Sequence, residues 1–293
     1  MEAVSYLTHR VDGELGCWTA VEWRPVHLRD TVERFWHFTG RTAHPRERVL
    51  PTGLLQLVVH LDARYGVVRD GGVERCPALV MSGQQTQPFV IEAPEGAATV
   101  LGIEFTPEGA WRLLRRPLHE LAGQDVELCD LVGAEAARLA DHCHATAGDA
   151  RACLSAAAAW IETRLGRAPA VDPPIAWIAD RIRRRRGNVV IGALRDATGL
   201  SAARLAAGFR EQIGVTAKTY ARIHRFHHAA ARLRAGGSPL EVALETGYYD
   251  QPHLNADFRE LSGLTPASFA ATPGYETGVN VPEGEQNLRS SAG

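Results

Sequence analysis

A repeat inside the chain constrains its fold more than any other feature. Leu205, Phe209, Gly214, Thr216 and Tyr220 recur at identical spacing as Leu254, Phe258, Gly263, Thr265 and Phe269. Upstream, Leu194 and Gly199 correspond to Val242 and Gly247, and the second copy has one extra residue before its series resumes. Leu and Phe four apart share one helix face, so each copy presents that face to a core. The turn glycine suits the tight or left-handed backbone that ends a helix. Each copy therefore reads as a short helix, a glycine turn and a longer helix. Between them, "KTYARIHRFHHAAARLRAGG" reads as one long helix ending at Gly236 and Gly237. A single connecting helix fixes how far apart the two units lie.

Charge is divided unevenly along the chain. Residues 1–171 hold 17 Arg against 22 Asp plus Glu, whereas residues 172–272 hold 14 Lys plus Arg against 9 Asp plus Glu. An acidic first part joined to a basic second part points to a polyanion as partner of the second alone. The 293 residues suffice for two cores. No apolar run approaches the roughly 18 residues of a membrane-spanning helix, and "MEAVSYLTHR" has no apolar signal-peptide core. Five scattered cysteines without a C-x-x-C pair read as reduced thiols. The expectation is a cytoplasmic chain without a membrane partner.

The fold expected is α+β overall. Partial alternation in "CWTAVEWRPV" (17–26) and "ATVLGIEF" (98–105), with the apolar run "LLQLVVHL" (54–61), marks short strands among Gly and Pro turns. Residues 1–165 are read as a sensing or dimerising domain. Its part 15–106 is β-rich, a cupin-like fold or small barrel, and its part 107–165 is helical. The linker is placed at 166–174, "GRAPAVDPP", with Asp172 as N-cap and Pro173 in the first turn of the next helix. Residues 175–272 form an all-α domain of two helix-turn-helix units, and 273–293 a disordered tail. In the helix opening that domain, Ile175, Ile178, Ala179 and Ile182 share a face, and five arginines crowd its end. These arginines either grip phosphates, through Arg183, Arg184 and Arg186, or form a solvated basic end that suits the helix dipole.

Residues 240–269, "LEVALETGYYDQPHLNADFRELSGLTPASF", resemble the second helix-turn-helix of the AraC/XylS transcription regulators. The Gly-Tyr-x-Asp-Gln-x-His-Leu run, the Phe-Arg pair and the Gly-Leu-Thr-Pro ending carry the likeness. Residues 190–220 are similar to the family's first, more variable unit. "LPTGLLQLVVHL" and "VLGIEFTPEGAWRLL" more loosely resemble an amino-terminal domain, of unknown ligand, found on such regulators in actinobacteria. The resemblance implies a regulator that binds double-stranded DNA without a cofactor or catalysis. It would be modulated by a small-molecule effector or a partner, and RNA polymerase or a second copy are further candidate partners. On one DNA face the two units would sit about one helical turn, roughly 34 Å, apart.

The helical faces then name the contacts. With Leu205 and Phe209 inward, Ser201 and Arg204 open the first recognition helix, Ala203 and Ala207 centre its outer face, and Arg210 flanks them. With Leu254, Phe258 and Leu261 inward, Pro252 and Ala256 are central in the second, flanked by Gln251, His253, Asn255 and Arg259. The family carries larger polar side chains at these central slots, and a small apolar residue where this chain has Arg195. Two accounts follow. Either the alanines let the helices sit deep in the groove, touching thymine methyls while the flanking residues reach base edges or phosphates. Or the first unit no longer reads bases and only packs or grips backbone. A separate alternative is that the protein no longer reads promoters and serves as a partner-binding module derived from such a regulator.

Catalytic and metal signatures are missing from the sequence. His27, His37, His44 and His60 are isolated, and "DHCHA" (141–145) points its side chains in different directions around a helix. No metal site and no catalytic residue are expected. For an effector, the polar residues of the strand region are the candidates: Gln56, His60 and Gln84, then Gln85 and Gln87.

Overall fold

A computed structural model describes residues 5–13, 15–166 and 168–272, together with the backbone of 278–280. The first sheet holds seven strands. They are β1 (Tyr6–Gly13), β2 (Gly16–Trp23), β3 (Val32–Thr42), β5 (Leu55–His60), β8 (Leu79–Ser82), β10 (Ala98–Phe105) and β11 (Asp125–Glu127). Their order is β1-β2-β3-β10-β5-β8-β11, with every pair antiparallel. The second sheet contains β4 (Arg46–Val49), β6 (Gly66–Arg69), β7 (Gly72–Arg75), β9 (Phe89–Glu92) and β12 (Gly278–Asn280), in the order β12-β4-β9-β6-β7. Two sheets therefore enclose a cavity, while Phe35, Leu57, Leu101 and Ile103 point out of the first sheet's other face into a core. That core is closed by α1 (Pro107–Leu114), α2 (Leu128–Val132), α3 (Glu135–Ala145) and α4 (Ala150–Leu165).

Two strands depart from the expected boundaries. β1 precedes residue 15, and β11 interrupts the stretch 107–165 expected to be helical. The side chains of β1 are largely exposed and β11 is only three residues long, so neither shows an apolar alternation. The expected tail lies mostly outside the described residues, but Gly278–Asn280 pairs with β4. At the linker Asp172 does occupy the N-cap position. Its side chain does not cap, however, and lies 3.6 Å from Arg204 instead.

The helical part runs α5 (Pro173–Arg184), α6 (Ile191–Thr198), α7 (Ala202–Gln212), α8 (Ala217–Arg234), α9 (Pro239–Glu245), α10 (Gln251–Ser262) and α11 (Pro266–Ala271). The repeat has a local cause at each mark. Gly199 and Gly247 end α6 and α9 with φ of +68° and +82°, and Thr216 and Thr265 cap α8 and α11 with their hydroxyls. Ser201 caps α7 and Asp250 caps α10. The extra residue of the second turn is accommodated by Tyr249, which projects into solvent with 89 % of its surface exposed. Two small cores result. One gathers Ile178, Ile182, Leu205, Phe209 and Tyr220, and the other Phe226, Leu254, Phe258, Leu261 and Phe269. The second core also contains Leu50, from the strand part of the chain.

Candidate nucleic-acid interface

Each recognition helix buries the predicted face. On α7, Leu205 and Phe209 are buried, whereas Ser201, Ala203, Arg204, Ala207 and Arg210 are exposed. On α10, Leu254, Phe258 and Leu261 are buried, Pro252, His253, Ala256 and Arg259 are exposed, and Gln251 and Asn255 are half-buried. The His253 ring packs edge-on against Tyr248, at 5.1 Å between centroids. Asp250 accepts the His253 backbone N–H at 2.8 Å, so the first turn of α10 is fixed before it meets anything. The flanking Glu260 is held by the Arg222 guanidinium, which also donates to Asp257 at 2.7 Å and ties α8 to α10. That pairing holds the Glu260 carboxyl below the usual carboxylate range. Arg204 leans toward Asp172, so the first unit presents fewer uncommitted charges than its sequence suggests.

The two units differ in their first helices. Leu194 and Arg195 of α6 correspond to Val242 and Ala243 of α9. Val242 and Ala243 are fully buried, while α6 buries no residue completely and Arg195 pairs with its neighbour Asp196 at 2.6 Å. A guanidinium cannot enter the apolar slot that Ala243 fills, because its desolvation would have no compensating partner.

The arginine cluster at the end of α5 is split in purpose. Arg183 is not placed for a phosphate. Its Nη1 donates to both oxygens of Glu108, at 2.6 and 2.8 Å, across to α1. Arg183 lies four residues after the buried Ala179 and one after the buried Ile182, so it borders the apolar face and turns toward the first domain. Arg184 is exposed and pairs with Asp180 at 2.7 Å, and Arg186 lies 3.0 Å from His228.

The amino-terminal domain grips both recognition helices at their carboxy-terminal ends. The turn at 118–120 meets α7, where His119 Nδ1 approaches the Arg210 carbonyl oxygen at 3.2 Å. For α10 the grip is Arg48, which donates to the Ser262 carbonyl oxygen at 3.2 Å. A strap, residues 48–54, continues along α8: Leu50 enters the second core, and the Pro51 carbonyl accepts from His227 at 2.6 Å. Gln84 belongs to this seam, donating to the Gly53 carbonyl at 2.7 Å. Sequence reading missed Arg48 and Leu50, because "RERVL" carries no mark of contact with helices more than 150 residues away.

Behind the strap lies a cavity of about 420 Å³ between the two sheets. Gln56 and His60 line it, but Gln84 does not. Strand register explains its layout. Arg34, Glu104, Gln56, Ser82 and Asp125 stand in one row across the first sheet, and Trp36, Gly102, Val58 and Val80 form the next. Gly102 is required there, since a Cβ would meet the Trp36 indole at 1.9 Å. Arg34 makes two hydrogen bonds to Glu104, at 2.8 and 2.9 Å, and a longer one to Glu22. Across the cavity, burial raises the Glu47 carboxyl to about 7. Burial also lowers the His60 pKa, although the Pro77 carbonyl on Nδ1 works against it. Among the described residues no group of three His, Cys, Asp or Glu is arranged to hold a metal, and no helix is long and apolar enough to cross a membrane.

Comparison with known proteins matches two stretches of the chain. Residues 25–127 match a domain of unknown function (DUF6597), and residues 194–272 match a helix-turn-helix domain. An uncharacterized HTH-type transcriptional regulator, YbfI of Bacillus subtilis, is 34% identical over 67 residues, which are 23% of this chain and 24% of that protein. The chain thus matches about a quarter of that relative's length. Among solved structures, ToxT from Vibrio cholerae O395 is 8% identical with a TM-score of 0.45, covering 81% of this chain and 97% of that one. The carboxy-terminal domain of AraT from Geobacillus stearothermophilus is 16% identical with a TM-score of 0.33, covering 34% and 86%. Residues 194–272 are a helix-turn-helix domain of the AraC type, carried behind an amino-terminal domain of unknown function.

Proposed function

We propose that this chain is a sequence-specific DNA-binding transcription regulator whose amino-terminal domain senses a small molecule. The observation that carries the reading is the pair of recognition helices, each with its inner face packed and its amino-terminal half open. The 18 residues of α8 form a rod of about 27 Å between the units, a length suited to two successive major grooves. In the exposed halves, Ala203, Ala207 and Ala256 allow close approach, while Gln251, His253 and Asn255, with Arg259 exposed further along α10, reach base edges or phosphates. Arg184 and Arg186 extend the phosphate contacts. Occupancy of a promoter needs no catalytic step.

Regulation would act through the strap. β4 carries Glu47 and Val49 on the cavity side and Arg48 against Ser262, so one short strand touches both the cavity and the end of α10. A ligand that shifts β4 would change how firmly α10 is held relative to α7, provided it binds the two arrangements unequally. The pairing of Arg204 with Asp172 favours a second reading, in which α7 holds DNA backbone only and α10 alone reads sequence.

Selection of bound sequences from a random DNA library by the full chain, at physiological salt, tests this. A site spanning two neighbouring major grooves is expected, with affinity falling steeply as salt rises. A site confined to one groove would support the second reading. No enrichment by folded protein would overturn both and leave a partner-binding module.

A further inference from the structure

We infer that the cavity between the sheets takes an organic cation with an apolar, preferably aromatic, body, whose charged end is held by Glu47. The inference rests on the reading of the amino-terminal domain as a small-molecule sensor and names the ligand class.

Charge balance is the first argument. Four carboxylates line the cavity, Glu22, Glu47, Glu104 and Asp125, against one arginine, Arg34. Arg34 is engaged by Glu104 and Glu22, and this trio keeps a net negative charge. An anionic ligand would have to displace a carboxylate from a buried two-bond pair and would leave that carboxylate unpaired. Asp125 has the nearby Arg69, at 3.7 Å, which does not line the cavity. A cation meets none of these obstacles.

Glu47 is the second argument. It lines the cavity from the second sheet, beside Ile91 and Val67 in register, and among the described residues no cation or hydrogen-bond donor reaches its carboxyl. Glu47 is half-buried, facing the cavity, and a carboxyl that has lost much of its water is costly to ionise alone, which its raised pKa reflects. An ammonium group placed against it would restore the charged form and gain an ion pair in a partly dehydrated site. The walls supply the rest. Trp18, Trp36, Phe38 and Phe89 line the same space, with Trp18 and Phe38 5.8 Å apart between centroids. Aromatic faces attract a cation through the ring quadrupole and bury an apolar body. The volume falls within the range of ordinary small-molecule pockets, roughly 300–1,000 Å³.

The test is calorimetric titration of the full chain at pH 8 with three probes that share one ring system: 2-naphthylmethylammonium, 2-naphthylmethanol and 2-naphthoate. The ammonium is expected to bind at least tenfold tighter than the carboxylate. In Glu47→Gln that preference should collapse, while the alcohol binds wild type and variant alike. Equal affinities, or tighter naphthoate binding, would overturn the cation class while leaving the cavity a ligand site. A preference that survives Glu47→Gln would remove Glu47 from recognition and overturn the assignment. Failure of all three probes would sink the sensor reading together with this one. Should the variant not fold, the ranking of probes on the wild-type chain still decides.

Discussion

Burial leaves Nε2 of His224 without a hydrogen-bond partner among the described residues and drives the imidazole pKa down to about 3, with the charges of His227 and Arg183 acting in the same direction. In the unfolded chain the same group titrates near 6.5. Between those values the unfolded state binds more protons, so stability is complete above about pH 6.5 and is lost as pH falls toward the folded pKa. One group shifted this far removes about 2 kcal/mol between pH 7.5 and pH 5. Urea unfolding of wild type and His224→Leu at both pH values checks this: the variant should lose about 2 kcal/mol less on acidification. An identical loss in both would show that the shift is absent. The ring lies beside the strap, where a Cβ on Gly53 would stand 3.4 Å from Nε2, so acid should loosen the seam before it unfolds either core.

The paired elements α6 and α9 show what unequal packing does to a duplicated motif. Arg195 already lies outside its core, so Arg195→Ala should cost less than about 0.5 kcal/mol, or even stabilise. Ala243→Arg drives a charge into the matching slot, which is fully buried, and should cost about 3 kcal/mol or more. Thermal unfolding of the two variants gives the comparison, and similar losses would mean that the units are packed alike. This asymmetry was legible, because the family resemblance implies a small apolar residue where this chain has Arg195. So were the turn glycines and the inner faces of α7 and α10, which depend on residues a few positions apart, whereas the one cap named, Asp172, does not cap with its side chain. The cavity was legible only in part. Gln56 and His60 lie in a recognisable strand, but the importance of Glu47 comes from what fails to approach it in three dimensions. Gly102 gave no signal at all, since its role is to leave room for an indole from the next strand.

Polar contacts hold the whole molecule together across the seam: Arg48 on the Ser262 carbonyl is the most enclosed of those described, and Arg183–Glu108 is an ion pair with a nearly buried carboxylate. Glu108 is 8 % exposed, so Arg183→Ala leaves a buried carboxylate without its cation. A loss of about 3 kcal/mol is expected, with Glu108→Gln in the same background recovering part of it. If Arg183 served phosphate instead, the variant would weaken DNA binding and leave unfolding unchanged. Equilibrium unfolding alongside a DNA-binding titration separates the two. Nothing local distinguishes Arg183 from its four arginine neighbours except its position against Ile182, which is why sequence offered it for phosphate or solvent and not for Glu108.

Leu50 has a consequence for how such a chain can be divided. The covalent joint lies near 166–174, but the apolar joint lies elsewhere, because a residue from the strand domain is 2 % exposed within the core of the second helix-turn-helix unit. A carboxy-terminal piece excised at the linker would keep every helix and lack one piece of its interior. A foreign sensor grafted onto these helices would have to bring its own plug for that hole. The packing unit is therefore the helical domain together with a few residues of the strand domain, and it is discontinuous in sequence.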